Sequence, residues 1–408
     1  MSGAASPINR ATSSMGFRHS RSFEHPPRTS RSISASTAGG WVEAPYPILH
    51  RGRFGKFVDF VIAVYHEIPV IAPLVASLVK FIGVGYKAYV MLLRLILFAV
   101  TLSPAFMKLV PWWWSSPSII RGVQYGPNPR NFLDLYLPDE IDGPDITAKP
   151  VVVYVSGGAW IIGYKAWAAP LGDYLAKNGI IMVSIDYRNF PQGTLSDMMQ
   201  DVRRGIQWTL NNISNFGGDP NNITLVGQSA GGHITTMLLL SELSIRPSDT
   251  PISDSIRRYI GVSAPYDIVS LAPRFNRRGL YTQMFNSIMD NDLFGSSPIQ
   301  ALSFLNQSAI DRLPPICIFH GSGDETVPFH QSLAFAKRLK EIGHKQVEVE
   351  IWPEASHSDP IVEGPLGGKH YLGACIASLC VADGEFKKHG EPLVGDRLLR
   401  FAQYVMPF

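Results

Sequence analysis

Residues 223–232 read ITLVGQSAGG, and a stretch of helical character follows over residues 233–240. A serine with glycine two positions to each side, set between a strand and a helix, is the nucleophile-elbow pattern. The turn forces Ser229 into a strained backbone conformation. It also brings strand and helix so close that a Cβ at Gly227 or Gly231 would collide with its neighbour. The stretch therefore predicts a reactive serine raised above the edge of a sheet.

A second junction of strand and loop lies upstream, where VVVYV (151–155) is followed by SGGAW (156–160). Such a β-branched run is expected of a strand buried on both faces. Adjacent glycines let backbone N–H groups approach a developing negative charge, although the same pair is compatible with a plain turn. We expect N–H donors at Gly157, Gly158 and Ala230. The predicted oxyanion and substrate-binding group consists of Gly157, Gly158, Ala159, Gln228 and Ala230.

The other members of a catalytic triad should follow the serine in the order acid, then histidine. The strand-like run 313–319 leads into HGSGDETVP (320–328), which offers Asp324 and, as the less favoured neighbour, Glu325. An acid beyond the carboxyl end of a strand lies on the same rim as the serine. The alternating run VEVEIW (347–352) precedes His357. Because His357 lies just beyond the end of this strand, on the same rim as the serine, we expect it to be the general base.

The chain has 11 histidines, so position has to distinguish them. His320 is expected to hydrogen-bond within the acid loop, and His233 to pack on the helix behind the nucleophile. Ser229 would attack a carbonyl carbon, His357 would take its proton, and Asp324 would orient the imidazole. We expect neither metal nor another cofactor, because the sequence has no His-Glu-x-x-His or Cys-x-x-Cys run.

The motifs that carry a family resemblance are YVSGGAWIIGYKAW, SIDYRNFPQGTLSDMMQDV, NFGGDPNNITLVGQSAGGH, FHGSGDETVP and ASHSDP. Residues 85–408 resemble α/β-hydrolases of the carboxylesterase/lipase group and, more narrowly, the isoprenylcysteine α-carbonyl methylesterases of plants. The resemblance implies a serine esterase acting on a prenylated cysteine methyl ester, free or at a prenylated protein C-terminus. It further implies a membrane of the endoplasmic reticulum or Golgi apparatus. One departure is Ser156, where many relatives have histidine.

Three other functions remain open for such a chain. A general carboxylesterase or membrane lipid esterase uses the same catalytic groups and differs only in its substrates. An arylformamidase-like amidase shares them as well. A hydrolase-fold binding protein without catalysis is the third function, and the histidine at position 357 argues against it, since receptors of this fold have replaced that residue.

The composition fits one large catalytic domain with an N-terminal extension. The chain has 408 residues and is 46% hydrophobic, which is ample for a large core. A net charge of +3 is too small to favour nucleic acid as a partner. Cys317 is expected in a buried strand, whereas Cys375 and Cys380 would pair only in an oxidising compartment. Residues 1–45 predict a disordered Ser/Arg-rich tail, with an organelle transit peptide as the alternative.

Residues 55–115 predict an apolar helical segment associated with membrane lipid. Residues 88–107 are long enough to cross a bilayer, but Arg94 near its centre would cost about 2.5–3.5 kcal/mol. A spanning helix with Arg94 facing protein therefore competes with an interfacial helix whose basic face, including Lys80 and Lys87, lies in the headgroups. Burial against the catalytic domain is the third arrangement. The tryptophans at 112–114 suit a membrane interface.

Alternating strands and helices over residues 120–408 predict a mostly parallel central sheet with flanking helices, consistent with an α/β-hydrolase fold. Residues 267–305 predict a mobile cap over the site. This stretch holds Arg274, Arg277, Arg278, Tyr281 and Phe285, and its hydrophobic side chains are expected to contact substrate. The segment after Asp359, through residue 386, is a second candidate for a substrate-facing cap.

Overall fold

The computed structural model describes residues 35–37, 40–42, 86–139, 147–244, 251–381 and 384–406. Most of the predicted tail and the predicted helical segment before residue 86 lie outside the described residues. Inside the stretch predicted as tail, strand β1 (Ala35–Thr37) pairs antiparallel with strand β2 (Gly40–Val42).

Eight further strands form one sheet. Their bounds are β3 (Ile119–Gln124), β4 (Phe132–Tyr136), β5 (Lys149–Val155), β6 (Ile181–Ile185), β7 (Gly218–Gln228), β8 (Arg258–Val262), β9 (Ile316–Gly321) and β10 (Val347–Trp352). The spatial order is β10-β9-β8-β7-β5-β6-β4-β3. All neighbours from β6 to β10 are parallel, and β4 runs antiparallel to both β6 and β3. The prediction of a mostly parallel sheet is confirmed.

Apolar side chains cover both faces of this sheet. In β5, Val151 and Val153 belong to the core on one face, while Val152 and Tyr154 belong to the core on the other. This burial on both sides explains why the strand sequence lacks polar alternation. Because the carboxyl ends of parallel strands meet at one edge, the loops after β5, β7, β9 and β10 gather there.

Helices pack around the sheet, and two of them precede its first strand along the chain. Their bounds are α1 (Tyr86–Thr101), α2 (Ser103–Ser115), α3 (Ala169–Lys177), α4 (Leu195–Asn212), α5 (Ala230–Leu243), α6 (Ile268–Arg278), α7 (Thr282–Ile288), α8 (Pro298–Ala301), α9 (Gln307–Asp311), α10 (His330–Glu341), α11 (Glu363–Leu366), α12 (Tyr371–Cys380) and α13 (Asp396–Val405).

The N-terminal helices α1 and α2 pack against the catalytic domain. Phe98 and Leu102 are buried in an apolar cluster with Leu399 and Ala402 of α13. The helix predicted over residues 88–107 is interrupted at Leu102, because Pro104 has no N–H to donate to the carbonyl oxygen of Val100 and its ring crowds that carbonyl. Among the described residues no single helix is long and apolar enough to cross a bilayer. Parts of α1 and α2 taken together would have the length and apolar composition needed to cross, but they meet at a bend of 70°.

The tryptophan run at the end of α2 also contacts the sheet. Trp113 Nε1 donates a hydrogen bond to the hydroxyl of Tyr136 at 3.0 Å. The guanidinium group of Arg121 lies over the rings of Trp113 and Trp114, and Trp114 is buried. These two rings therefore attach α2 to β3 and β4. The position of the tryptophans at a membrane interface stays a prediction.

Candidate active site

Ser229 occupies the sharp turn between β7 and α5. Its backbone angles, φ 51° and ψ −122°, lie in a region that residues with side chains rarely adopt. A Cβ at Gly231 would lie 2.2 Å from the carbonyl oxygen of Val155, and one at Gly227 would lie 2.3 Å from Thr235 Oγ1. Both positions therefore require glycine, as the sequence predicts.

The loops after β9 and β10 bring the predicted acid and base to the serine. His357 Nε2 lies 2.7 Å from Ser229 Oγ, and His357 Nδ1 lies 2.7 Å from Asp324 Oδ2. An ionised carboxylate only accepts hydrogen bonds, so Nδ1 carries the proton and Nε2 accepts from the serine hydroxyl. Glu325, the alternative acid, is exposed, whereas Asp324 is buried. The arrangement is suited to nucleophilic attack on a carbonyl.

Asp324 accepts hydrogen bonds on both of its oxygens. Oδ1 accepts from the backbone N–H groups of Thr326 and Val327 at 2.8 and 2.9 Å. Oδ2 accepts from His357 and also from Nε2 of His320 at 3.0 Å. Burial by itself would raise the pKa of Asp324, but interactions with His357 and His320 outweigh burial and hold it well below its usual range. The acid therefore stays ionised at neutral pH.

The loop after β5 lies beside the serine and supplies backbone donors. The N–H of Gly157 donates to Gln228 Oε1 at 3.0 Å, so Gly157 is not an available oxyanion donor and this assignment is corrected. The N–H groups of Gly158, Ala159 and Ala230 have no acceptor within the described part of the chain. Ala230 opens α5, where N–H groups lack intrahelical partners. These three groups are therefore the donors available to a developing oxyanion.

Trp160 forms a wall of the site. Its Nε1 donates to Nδ1 of His233 at 3.2 Å, and Nε2 of His233 donates to the carbonyl oxygen of Ser296 at 2.7 Å. Burial lowers the pKa of His233 to about 4, which keeps the ring neutral as this pattern requires. Phe275 and Phe285 pack edge-on against Trp160, with ring centroids 6.1 and 5.6 Å away. The prediction that His233 packs behind the nucleophile is confirmed.

The region predicted as a cap forms α6, α7 and α8 beside this wall. Phe285, counted among its predicted substrate-contacting hydrophobic residues, is fully buried and supports Trp160 from behind. Phe275 lines the cavity at Ser229 instead. Sequence analysis missed Phe275 because it lies among arginines in α6, and the charged residues of that stretch drew attention away from its apolar side. Phe285 therefore supports Trp160, whereas Phe275 forms part of the cavity wall.

An apolar cavity of about 200 Å³ begins at Ser229. The segment after Asp359 contributes Ile361, Val362 and Leu366, as predicted for a substrate-facing region. The N-terminal helices contribute side chains that no motif had indicated. These are Leu95, Phe98, Ala99, Phe106 and Leu109. The helices α1 and α2 are therefore part of the active-site wall.

A buried acid lies one loop away from the catalytic histidine. Ser358 Oγ donates to Glu363 Oε1 at 2.7 Å, while Glu363 Oε2 is buried without a hydrogen-bond partner among the described residues. Burial raises the pKa of Glu363 to about 7. Folding therefore shifts this acid toward its neutral form. Sequence analysis gave no reason to single out this residue.

Metal and thiol chemistry have few candidate groups here. In the described residues, no group of three or more His, Cys, Asp and Glu side chains is arranged to hold a metal ion. Cys317 is buried, as predicted, and Cys375 and Cys380 are both free thiols. The reactive groups at this edge of the sheet are therefore the serine, the histidine and the acid.

Comparison with known proteins agrees with this geometry. The BD-FAE protein family matches residues 133–339. The chain is 40% identical over 380 residues to the isoprenylcysteine alpha-carbonyl methylesterase of Arabidopsis thaliana, covering 90% of this chain and 87% of that protein. It is 39% identical over 344 residues to a probable isoprenylcysteine alpha-carbonyl methylesterase of Oryza sativa subsp. japonica, covering 81% and 82%. Esterase B of Lactobacillus rhamnosis shares the fold at a TM-score of 0.51 and 18% identity, covering 66% of this chain and 89% of that chain.

Proposed function

The chain belongs to the isoprenylcysteine alpha-carbonyl methylesterase family of α/β-hydrolases and is a carboxylic ester hydrolase, and we propose that it demethylates prenylated cysteine methyl esters. The substrate is the free amino acid ester or the C-terminus of a prenylated protein. One observation carries the proposal: the apolar cavity that leads from Ser229 to side chains of α1 and α2. A small ester alone leaves that wall without a contact.

The catalytic groups lead to a two-step hydrolysis. Ser229 Oγ attacks the ester carbonyl carbon while Nε2 of His357 takes the hydroxyl proton. The oxyanion accepts hydrogen bonds from Gly158, Ala159 and Ala230, and each well-placed donor lowers the barrier by about 3–4 kcal/mol. The imidazolium then protonates the leaving oxygen, and methanol departs. Water, activated by the same imidazole, cleaves the acyl-enzyme and releases the prenylcysteine carboxylate.

The walls of the cavity match a hydrocarbon chain. Leu95, Phe98 and Phe106 offer aliphatic and aromatic surface and no side-chain hydrogen-bonding group. Each CH₂-sized group of substrate buried there stabilises the complex by about 0.8 kcal/mol. A polar substituent in the same place would lose its water without a replacement partner. The cavity therefore favours an isoprenoid thioether over short or polar substituents.

We also propose that the enzyme works on a membrane surface, of the endoplasmic reticulum or Golgi apparatus, with α1 lying in the interface. The support is an exposed apolar face on α1 that continues onto α13, which packs against it. The exposed side chains are Tyr86, Tyr89, Val90, Leu93, Ile96, Leu97, Val100, Phe401 and Tyr404. Patches of this kind mark protein or membrane contacts, and a prenyl chain partitions into lipid. Enzyme and substrate would then meet in the same layer.

A pair of substrates tests the assignment of the prenyl group. The kcat/KM of the purified chain is measured on S-farnesylcysteine methyl ester and on S-methylcysteine methyl ester. We expect a preference of about 100-fold for the farnesyl compound, since burial of a few isoprenoid carbons is worth roughly 3 kcal/mol. Equal values would remove the prenyl assignment and leave a general esterase.

A cavity-filling variant tests where the prenyl chain binds. Ala99→Trp places an indole in the wall of the cavity, so it should lower the ratio of farnesyl to S-methyl kcat/KM by about tenfold or more. Val100→Trp is the matched control, because Val100 is the next residue, is exposed and does not line the cavity. A ratio that falls equally in both variants would contradict this location.

A further inference from the structure

A second cavity, which shares no lining residue with the one at Ser229, lies between α1 and α6. Its volume is about 320 Å³. The charged side chains that line it are Lys87, Arg94, Arg277, Arg278 and Glu325. Four basic groups and a single carboxylate thus surround one space. This is the composition of an anion site.

The positive charges here exceed the negative ones. Arg274 and Arg278 donate hydrogen bonds to the backbone carbonyl of Glu325, which is a neutral acceptor. In the described ranges, no ion pair joins Arg94 or Arg277 to a carboxylate. Burial lowers the pKa of Arg278 and the charges of Arg274 and Arg94 lower it further, while the carboxylates of Glu325 and Asp324 offset this only in part. An anion in the cavity would relieve this repulsion.

The basic side chains of α1 border its exposed apolar face. Lys87 and Arg94 are seven residues apart and therefore lie on the same side of the helix. The neighbouring positions Val90 and Leu93 are exposed and belong to the apolar face. Basic residues at such a border extend their charged ends to the level of lipid headgroups. Arg277, on α6, approaches the same space from the catalytic domain.

We propose that this cavity binds the phosphate group of an anionic phospholipid while the apolar face of α1 contacts the acyl chains. The inference rests on the membrane association proposed above. Guanidinium groups bind phosphate oxygens in pairs, which suits Arg94 and Arg277 on opposite sides of the space. Free inorganic phosphate offers the same chemistry. The apolar border favours the lipid, because it places the cavity where the headgroup layer begins.

Vesicle binding by the full chain tests this site. Affinity is measured by co-sedimentation with vesicles of phosphatidylcholine alone and of phosphatidylcholine with phosphatidylglycerol. The variant Arg94→Gln/Arg277→Gln should bind the anionic vesicles about 30-fold more weakly than the wild type, from about 1 kcal/mol per cation. Its binding to phosphatidylcholine alone should not change. Hydrolysis of a short soluble ester by each variant reports that the chain is folded.

A variant with the same loss of charge elsewhere is the control. Lys340→Gln/Lys345→Gln removes two exposed cations before β10, at the end of that strand away from His357, and should keep the wild-type affinity. The proposed headgroup site is overturned if the arginine variant binds anionic vesicles as tightly as the wild type, or if both variants lose the same affinity. Failure of the wild type to bind either vesicle overturns the headgroup site and the membrane proposal together. Hydrolysis of the farnesyl ester in detergent would still report on the proposed activity.

Inorganic phosphate distinguishes the two sources of the anion. Phosphate should compete with anionic vesicles for the wild type, at millimolar concentrations, without changing the weaker binding to phosphatidylcholine. Thermal stabilisation of the wild type by phosphate, lost in Arg94→Gln/Arg277→Gln and unaccompanied by vesicle binding, would assign the cavity to a free phosphate and overturn the lipid as its source.

Discussion

The imidazole of His320 hydrogen-bonds Asp324 through Nε2 at 3.0 Å, on the same carboxylate oxygen that accepts from His357. The Nε2 atom also faces the carbonyl oxygen of Val327, so it carries the proton. Nδ1 of His320 then accepts from the hydroxyl of Ser332 at 2.7 Å. The acid is thereby held from both sides, by the catalytic histidine and by a second, structural one.

Removal of His320 should weaken catalysis without abolishing it. His320→Ala takes away one hydrogen bond to the charged carboxylate, worth about 1.5–3 kcal/mol, so we expect kcat to fall by about 10- to 100-fold. The KM for a short soluble ester should stay close to the wild-type value, because His320 contacts the acid and does not line the cavity. Full activity of His320→Ala would show that His320 does not position the acid.

Substitution of the nucleophile or base should nearly eliminate turnover. Ser229→Ala and His357→Ala should each lower kcat by about 10⁴-fold or more, since triad members act as a unit and residual rate comes from the oxyanion donors. A fluorophosphonate probe should label the wild type and not Ser229→Ala. Unchanged hydrolysis in either variant would refute the triad and favour a chain that binds its ligand without catalysis.

The nucleophile turn should not tolerate a Cβ at Gly231. Gly231→Ala would place a methyl group 2.2 Å from the carbonyl oxygen of Val155, and strand and helix would have to separate. We expect the free energy of unfolding to fall by about 3 kcal/mol or more. Gly395→Ala is the control, since a Cβ there meets nothing within 4 Å. Urea unfolding measures both; equal midpoints would contradict the close approach.

The buried acid Glu363 should make stability depend on pH. Its pKa rises from an ordinary 4.5 to about 7 on folding, so between these values the folded chain binds more protons than the unfolded chain. The free energy of unfolding therefore decreases as pH rises from about 4.5 to 7, by roughly 3 kcal/mol in all, and levels off above pH 7. Glu363→Gln should remove this slope and exceed the wild type in stability at pH 8. Parallel pH profiles of the two proteins would rule the effect out.

The sequence by itself determined the sheet and the three catalytic side chains. Local patterns encode the strand at residues 151–155 and the tight turn at Ser229, because both depend on residues that are neighbours in the sequence. The carboxyl ends of parallel strands share one edge, so the order of the strands along the chain is enough to place Asp324 and His357 near the serine. Each of these inferences needs only short-range sterics and the order of elements along the chain.

Tertiary structure alone decided what surrounds those groups. Gln228 takes the N–H of Gly157, and residues of α1 reach the cavity from more than a hundred positions upstream of Ser229. An apolar helix has the same sequence pattern whether its faces meet protein, substrate or lipid. Contacts between side chains far apart in the chain depend on where helices dock. That placement is a property of the packed fold and leaves no local pattern to read.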